Sequence, residues 1–253
     1  MVLRSVRFAL LLAVGCASSP APGPSLAPTT TTTDPATGAP VQAPNGPTPA
    51  SEGNWEKIRE EDGITVFREE IEGSPVVAFR GIGDIEGPIA RVALILMDLN
   101  HHNEWVDRIV DARVLKYYSD AEYLTYSHLG APPFVSDRDF VNKTTILYAP
   151  PDHLKISIHS VDDPLGPKTE HVRGKLLHSS FDLQALGPNK THLVCEIHAD
   201  PMGSLPKFAV NYFQKNWAFV TFTKLRKQMT RPGLAERAPD VRDILGRQGF
   251  PVQ

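Results

Sequence analysis

The sequence predicts an α+β domain in which a strongly curved antiparallel sheet is covered by one long C-terminal helix. Three observations predict it. Segments of alternating apolar and polar residues recur between residues 64 and 200, separated by short turns rich in Gly, Pro and Asp. Only two short helical patterns interrupt them. One long helical pattern, from Ser204 to about Arg231, closes the series. Strands in hairpin succession pair antiparallel, and a sheet with a single long helix must bend around it to bury its inner face.

The elements follow in order. ITVFREEI (64–71) and VVAFRGIGDI (76–85) read as strands joined by the turn Glu72-Gly73-Ser74-Pro75. Gly87-Pro88 opens the helical stretch IARVALILMD, with proline where its missing N–H costs nothing. A second short helix is expected in NHHNEWVDRI. DARVLKYY, EYLTYSHL, RDFVNKTTILY, HLKISIHSV, HVRGKLLHSSFDLQAL and THLVCEIHAD are strand-like. In the last long pattern Ser204 suits an N-cap, and Lys224, Arg226, Lys227 and Arg231 crowd the end where cations complement the helix dipole. VRDILGRQGF, beyond Gly233, reads as one more short helix on the surface.

Alternation assigns faces. With Lys143 in water, Phe140, Asn142, Thr144, Ile146 and Tyr148 point inward. With Lys155 outside, Leu154, Ile156 and Ile158 point inward. With Glu196 outside, Leu193, Cys195 and Ile197 point inward. HVRGKLLHSSFDL does not keep one phase, which predicts a bulge near His178-Ser179. On the terminal helix Phe213, Trp217 and Val220 form one stripe.

The N-terminus is of a different kind. Arg4 and Arg7 precede an apolar run, Phe8 to Val14, and then Gly15-Cys16. The run is too short to span a bilayer but has the length of a signal-peptide core. Leu12-Ala13-Val14-Gly15-Cys16 resembles a bacterial lipobox, which implies lipidation of Cys16, export, and a membrane anchor. With Ala17 after the cysteine, the resemblance favours an outer membrane facing the periplasm. The other reading is an ordinary secretory signal (1–16) with an incidental cysteine. Residues 17–53, almost entirely Ala, Pro, Thr, Ser and Gly, are expected to be a disordered tether. Its reach is about 35 Å as a coil. The folded domain is then 54–231, and 232–253 a C-terminal tail. Cys195 has no partner cysteine if Cys16 is lipidated, so it is expected to be buried and unreactive.

Three segments resemble the steroidogenic-acute-regulatory-related lipid-transfer (START) family, in family order: MDLNHHNEWVDRIVDARVL (97–115), PPFVSDRDFV (132–141) and DPMGSLPKFAVN (200–211). The resemblance implies a helix-grip fold, a curved sheet wrapped around the C-terminal helix and enclosing an apolar tunnel for one lipid-sized molecule. Enclosing an acyl chain removes about 0.8 kcal/mol of hydration cost per methylene. The expected tunnel lining is Trp105, Phe140, Thr144, Ile146, Ile156, Ile158, Leu193, Cys195, Ile197, Phe213, Trp217 and Val220. Arg138 and Asp139 are expected to tie neighbouring loops at the start of a strand, not to catalyse. Some sterol-binding members place a buried arginine where this chain has Thr144, and a buried acid nearest Thr125 or His128. The ligand class therefore stays open among sterol, hopanoid, phospholipid, fatty acid and carotenoid.

Other functions are constrained. A net charge of −3 gives no global basic field for nucleic acid. HHNEW lacks the HExxH spacing, and Cys195 and His198 fall on opposite faces of a strand, so no metal or other cofactor is expected. An enzyme of the cyclase or aromatase kind would need an inward acid/base pair, for example Tyr126 or His128 with Asn142. A lipid sensor that binds a partner protein is the third reading.

Overall fold

Among the described residues ten strands form one sheet, ordered β1-β2-β3-β10-β9-β7-β6-β5-β4, with β8 beside the start of β6. They are β1 (Glu56–Glu61), β2 (Ile64–Glu70), β3 (Val77–Glu86), β4 (Ile109–Ser119), β5 (Glu122–Leu129), β6 (Arg138–Ala149), β7 (His153–Ser160), β8 (Val172–Arg173), β9 (Lys175–Gly187) and β10 (Lys190–Asp200). This computed structural model describes residues 53–131, 133–205 and 216–252. Cys16, the tether, Phe213 and most of the first half of the expected terminal helix lie outside the described residues.

All neighbours on the main path pair antiparallel. Only the two-residue β8 runs parallel to its partner. The chain crosses from β3 to the far edge through α1 (Ile89–Met97) and a 3-10 helix (Leu99–Glu104). β1, over EKIREE, joins the two N-terminal strands expected from the sequence. The face assignments of β6, β7 and β10 are those that alternation predicts. The β9 bulge falls slightly earlier than expected. His198 pairs with His178 while Ala199 pairs with Leu176, so Leu177 is the extra residue and turns outward.

The described terminal helix, α2 (Trp217–Met229), lies against the inner face of β3. Two glycines permit the approach. A Cβ on Gly81 would sit 2.8 Å from Ala218 Cβ, and one on Gly83 would sit 3.1 Å from the Phe222 ring. Arg91 of α1 donates from Nε to the Met229 carbonyl at 3.1 Å, and from its guanidinium to the Arg231 carbonyl. It thereby satisfies carbonyls and complements the dipole at the end of α2.

Two expectations need correction. The helix α2 does not cover the concave face alone. Except for Arg91, every residue of α1 is buried, so α1 fills part of that face. Nor is the tail peripheral. Its helices α3 (Leu234–Arg237) and α4 (Pro239–Arg247) bury Leu234, Val241, Ile244 and Leu245, and Phe250 follows them into the core. Phe250 meets Tyr148 at 6.3 Å, and Arg247 makes a two-pronged contact with Asp120 at 2.8 and 2.9 Å. A short amphipathic segment shows that it has an apolar face, but not which surface that face will find.

Candidate functional site

A cavity of about 240 Å³ remains open between the sheet and the helices. Its floor is the inner face of β4 to β7, β9 and β10. Its roof is the end of α1, the 3-10 helix and the following turn, and the first turns of α2. The walls are mostly aliphatic and aromatic, which suits an apolar guest.

Of the residues expected to line a tunnel, Trp105, Phe140, Thr144, Ile156, Ile158, Ile197, Trp217 and Val220 do line this cavity. Ile146, Leu193 and Cys195 do not. They share the inward face but belong to the solid core packed by α1, α2 and the tail helices. Alternation tells which way a side chain points, not what stands opposite it. Cys195 is fully buried, and burial pushes its thiol up to about 12, so it is inert. Phe213 lies outside the described residues.

Several lining residues are not among those expected, including Leu96, Val106, Tyr123, Ser127 and Phe181, and Thr125 is named only as a position nearest the buried acid of sterol-binding members. The strand EYLTYSHL did contain the signal. Its odd positions face inward and bring polar groups to the wall. Its even positions do not, so Tyr126 and His128 do not face Asn142 across the hollow as the pair given as an example for a cyclase-like reading. Tyr126 is stacked on the outside under Arg113, whose guanidinium lies 4.6 Å from the ring centre. His128 is held at the strand end by Asp137 at 2.7 Å.

The ionisable residues of the cavity wall are quenched or paired. His102 bonds the Leu96 carbonyl through Nε2 at 3.1 Å and meets Trp105 edge-on at 5.5 Å. Desolvation pushes its pKa down to about 4, so the imidazole is neutral near pH 7. Asp107, on the loop before β4, and Lys224, on α2, form an ion pair at 2.5 Å, each side chain about one-third exposed. This pair bridges loop and helix where the cavity meets solvent.

The charged run Ser136-Asp137-Arg138-Asp139 clamps loops. Asp137 accepts from the Ala131 N–H at 2.7 Å as well as contacting His128. Arg138, buried, donates to the carbonyls of Ser136 and Met202, joining β6 to the segment after β10. Asp139, fully buried, receives Arg173 at 2.7 and 3.2 Å and Thr169 at 2.6 Å. Burial opposes its ionisation, but these hydrogen bonds outweigh burial and hold the carboxyl below its usual range. None of the three lines the cavity.

Donor atoms of His128, Asp137 and His171 lie within 4.8 Å of one another. The two imidazoles are stacked, 4.1 Å apart and 15° from parallel. Their in-plane lone pairs therefore run side by side and do not converge on one ion. The arrangement is that of a clip between two loops. Among the described residues no helix is long and apolar enough to cross a membrane.

Comparison with known proteins agrees with this architecture. The START domain family matches residues 48–234. An uncharacterized protein of Pseudomonas aeruginosa is 26% identical over 177 residues, covering 68% of this chain and 85% of the relative. The phosphatidylcholine transfer protein of Mus musculus is 26% identical over 171 residues, covering 64% and 78%. A STAR-related lipid transfer protein of Xanthomonas axonopodis has a similar structure, with a TM-score of 0.62 at 26% identity, covering 70% of this chain and 99% of that one. Human StAR-related lipid transfer protein 5 shares the fold, with a TM-score of 0.64 at 22% identity, covering 69% and 86%. With most of its folded body matched, this chain belongs to the START domain family.

Proposed function

We propose that the protein binds one lipid-like molecule in this cavity and carries or presents it at a bacterial cell envelope. The observation that supports it most directly is an apolar space left unfilled under a helix of a START domain. A solid core would gain more stability from dispersion contacts, so sustained empty apolar volume points to a guest. The names of the mouse and Xanthomonas relatives, both lipid transfer proteins, support the same reading. Tethering is the second part of the proposal. Its support is the basic, apolar and cysteine pattern of residues 4–16, followed by a Pro- and Thr-rich leash. One acyl chain holds a protein to a membrane only marginally, so Cys16 would carry more than one.

Two measurements test this. Mass spectrometry of organic extracts from the purified full chain is expected to show a bound lipid, and vesicle assays are expected to show its transfer. An empty protein that neither takes up nor delivers lipid contradicts the proposal. Labelling bacterial cells with a radioactive fatty acid is expected to mark the full chain and not its Cys16→Ser variant. Equal labelling of both, or none, removes the anchor from the proposal.

A further inference from the structure

Resting on the lipid-binding reading, we infer that the cavity selects a guest bearing an uncharged hydrogen-bonding group, such as a hydroxyl, amide or ester, over guests with an ionised head. The inference begins with the polar groups on the inner face. In the β5–β6 register Thr125 pairs with Asn142, and Tyr123 with Thr144. This sets a short polar strip into an otherwise greasy wall. Asn142 is 7% exposed and Thr144 3%, and both line the cavity.

Part of the strip is satisfied. Asn142 Oδ1 accepts from Ser160 Oγ at 2.8 Å, and the Asn142 carbonyl accepts from Thr125 Oγ1 at 3.2 Å. The Asn142 Nδ2 amide and the Thr144 hydroxyl engage no group among the described residues. Both open onto the hollow, so a purely apolar guest would seal them off, and a buried polar group left unmet forfeits its hydration without return. Two such groups facing one hollow mark where a polar atom of the guest docks. Nδ2 can only donate, whereas a hydroxyl can donate and accept. A guest hydroxyl or carbonyl complements that pair.

The charge pattern excludes the alternative at this strip. In register, Asn142 and Thr144 are flanked by Thr125, Ser160, Tyr123 and Ile158, none of them charged at neutral pH. His102 is neutral and already bonded, and Asp107 and Lys224 neutralise each other where the wall is partly exposed. A phosphate or carboxylate placed on the strip would lose its water with no countercharge. A lipid with an ionised head would have to leave the strip unmet and keep its head outside.

The test uses the full chain and three pyrene-labelled probes of equal length, ending in a methyl, a hydroxyl or a carboxyl group, at about pH 8 where the acid is ionised. The alcohol is expected to bind about tenfold tighter than the hydrocarbon, the effect of two hydrogen bonds made in an apolar site. The ionised acid is expected to bind at least about a hundredfold more weakly than the alcohol. In Asn142→Leu/Thr144→Val the preference for the alcohol over the hydrocarbon should vanish, the ratio of the two affinities falling about tenfold. Thr144→Val alone, close in shape, serves if the double variant does not fold, and should lower the alcohol-to-hydrocarbon affinity ratio several-fold. Equal binding of alcohol and acid overturns the inference while leaving lipid binding intact, as does an alcohol preference that survives the substitutions. Failure of all three probes to bind overturns the lipid-binding reading and the inference with it.

Discussion

The inner face of the sheet has a filled part and a hollow part, built from the same alternation. In the filled part Leu154, Leu183, Leu193 and Cys195 are completely buried, packed with α1, Phe222 and the tail helices. In the hollow part Ile158, Phe181 and Ile197 also point inward but face open space under Trp217 and Val220. Neighbouring positions on single strands fall in different parts: Leu154 and Ile158 on β7, Leu193 and Ile197 on β10. Whether an inward apolar residue serves stability or binding is thus set by what covers it, not by its type.

That contrast can be broken by mutation. Leu154→Ala is expected to cost about 2–5 kcal/mol, since it opens a cavity in solid packing. Ile158→Ala enlarges a space that already exists and is expected to cost less, under about 2 kcal/mol, the transfer term without a new void. Urea unfolding of the two variants compares them directly. Equal losses would remove the distinction between the two parts.

Gly81→Ala comes next. Its Cβ would press on Ala218 and Phe222, lifting α2 from β3, and a cost of about 1–3 kcal/mol is expected from overpacking. Unchanged stability would mean that α2 is not held at that distance.

The His102 imidazole offers a pH test of the wall between the two parts. Its folded pKa, about 4, lies below the ordinary value of 6.5. The unfolded chain therefore takes up the proton first as pH falls. Its contribution is fully present above about pH 6.5, declines from there to about pH 4, and is lost below. Urea midpoints across that window should fall with acid, and His102→Gln should flatten this part of the profile. An unchanged slope would show that His102 is not held neutral. Asp139 acts lower on the scale: its depressed pKa stabilises above the usual carboxylate range and is lost as pH falls through the folded value.

The smallest expected effect on stability is that of Ala199→Leu, which adds carbon into the hollow part. Stability should shift by no more than about 1 kcal/mol, because space is available. Uptake of a pyrene-labelled hydrocarbon should nevertheless drop, measured by fluorescence titration. Unimpaired uptake would place the guest elsewhere.

Local pattern made much of this legible. The period of two in RDFVNKTTILY, HLKISIHSV and THLVCEIHAD names inward residues without reference to any other part of the chain. Helix α1 and the broken phase of β9 are equally local, although the extra residue, Leu177, is pinned down only by its pairing with β10. The site was legible less completely. Trp105, Phe140, Thr144 and Trp217 could be named, but Thr125 and Asn142 acquire meaning only side by side, across a register that no single strand contains.

By itself, the sequence determined the antiparallel curved sheet, its inward faces and the closing helix, because periodicity acts over a few residues, while the loop-tying role of Arg138 and Asp139 followed from the family resemblance. Only the tertiary structure decided where the inner face is packed solid and where it stays open. It also decided that the tail is core, and that two polar groups of an apolar wall have no partner among the described residues. Those outcomes depend on which surfaces meet across distant segments, and packing and hydrogen bonding are properties of the meeting, not of either segment alone.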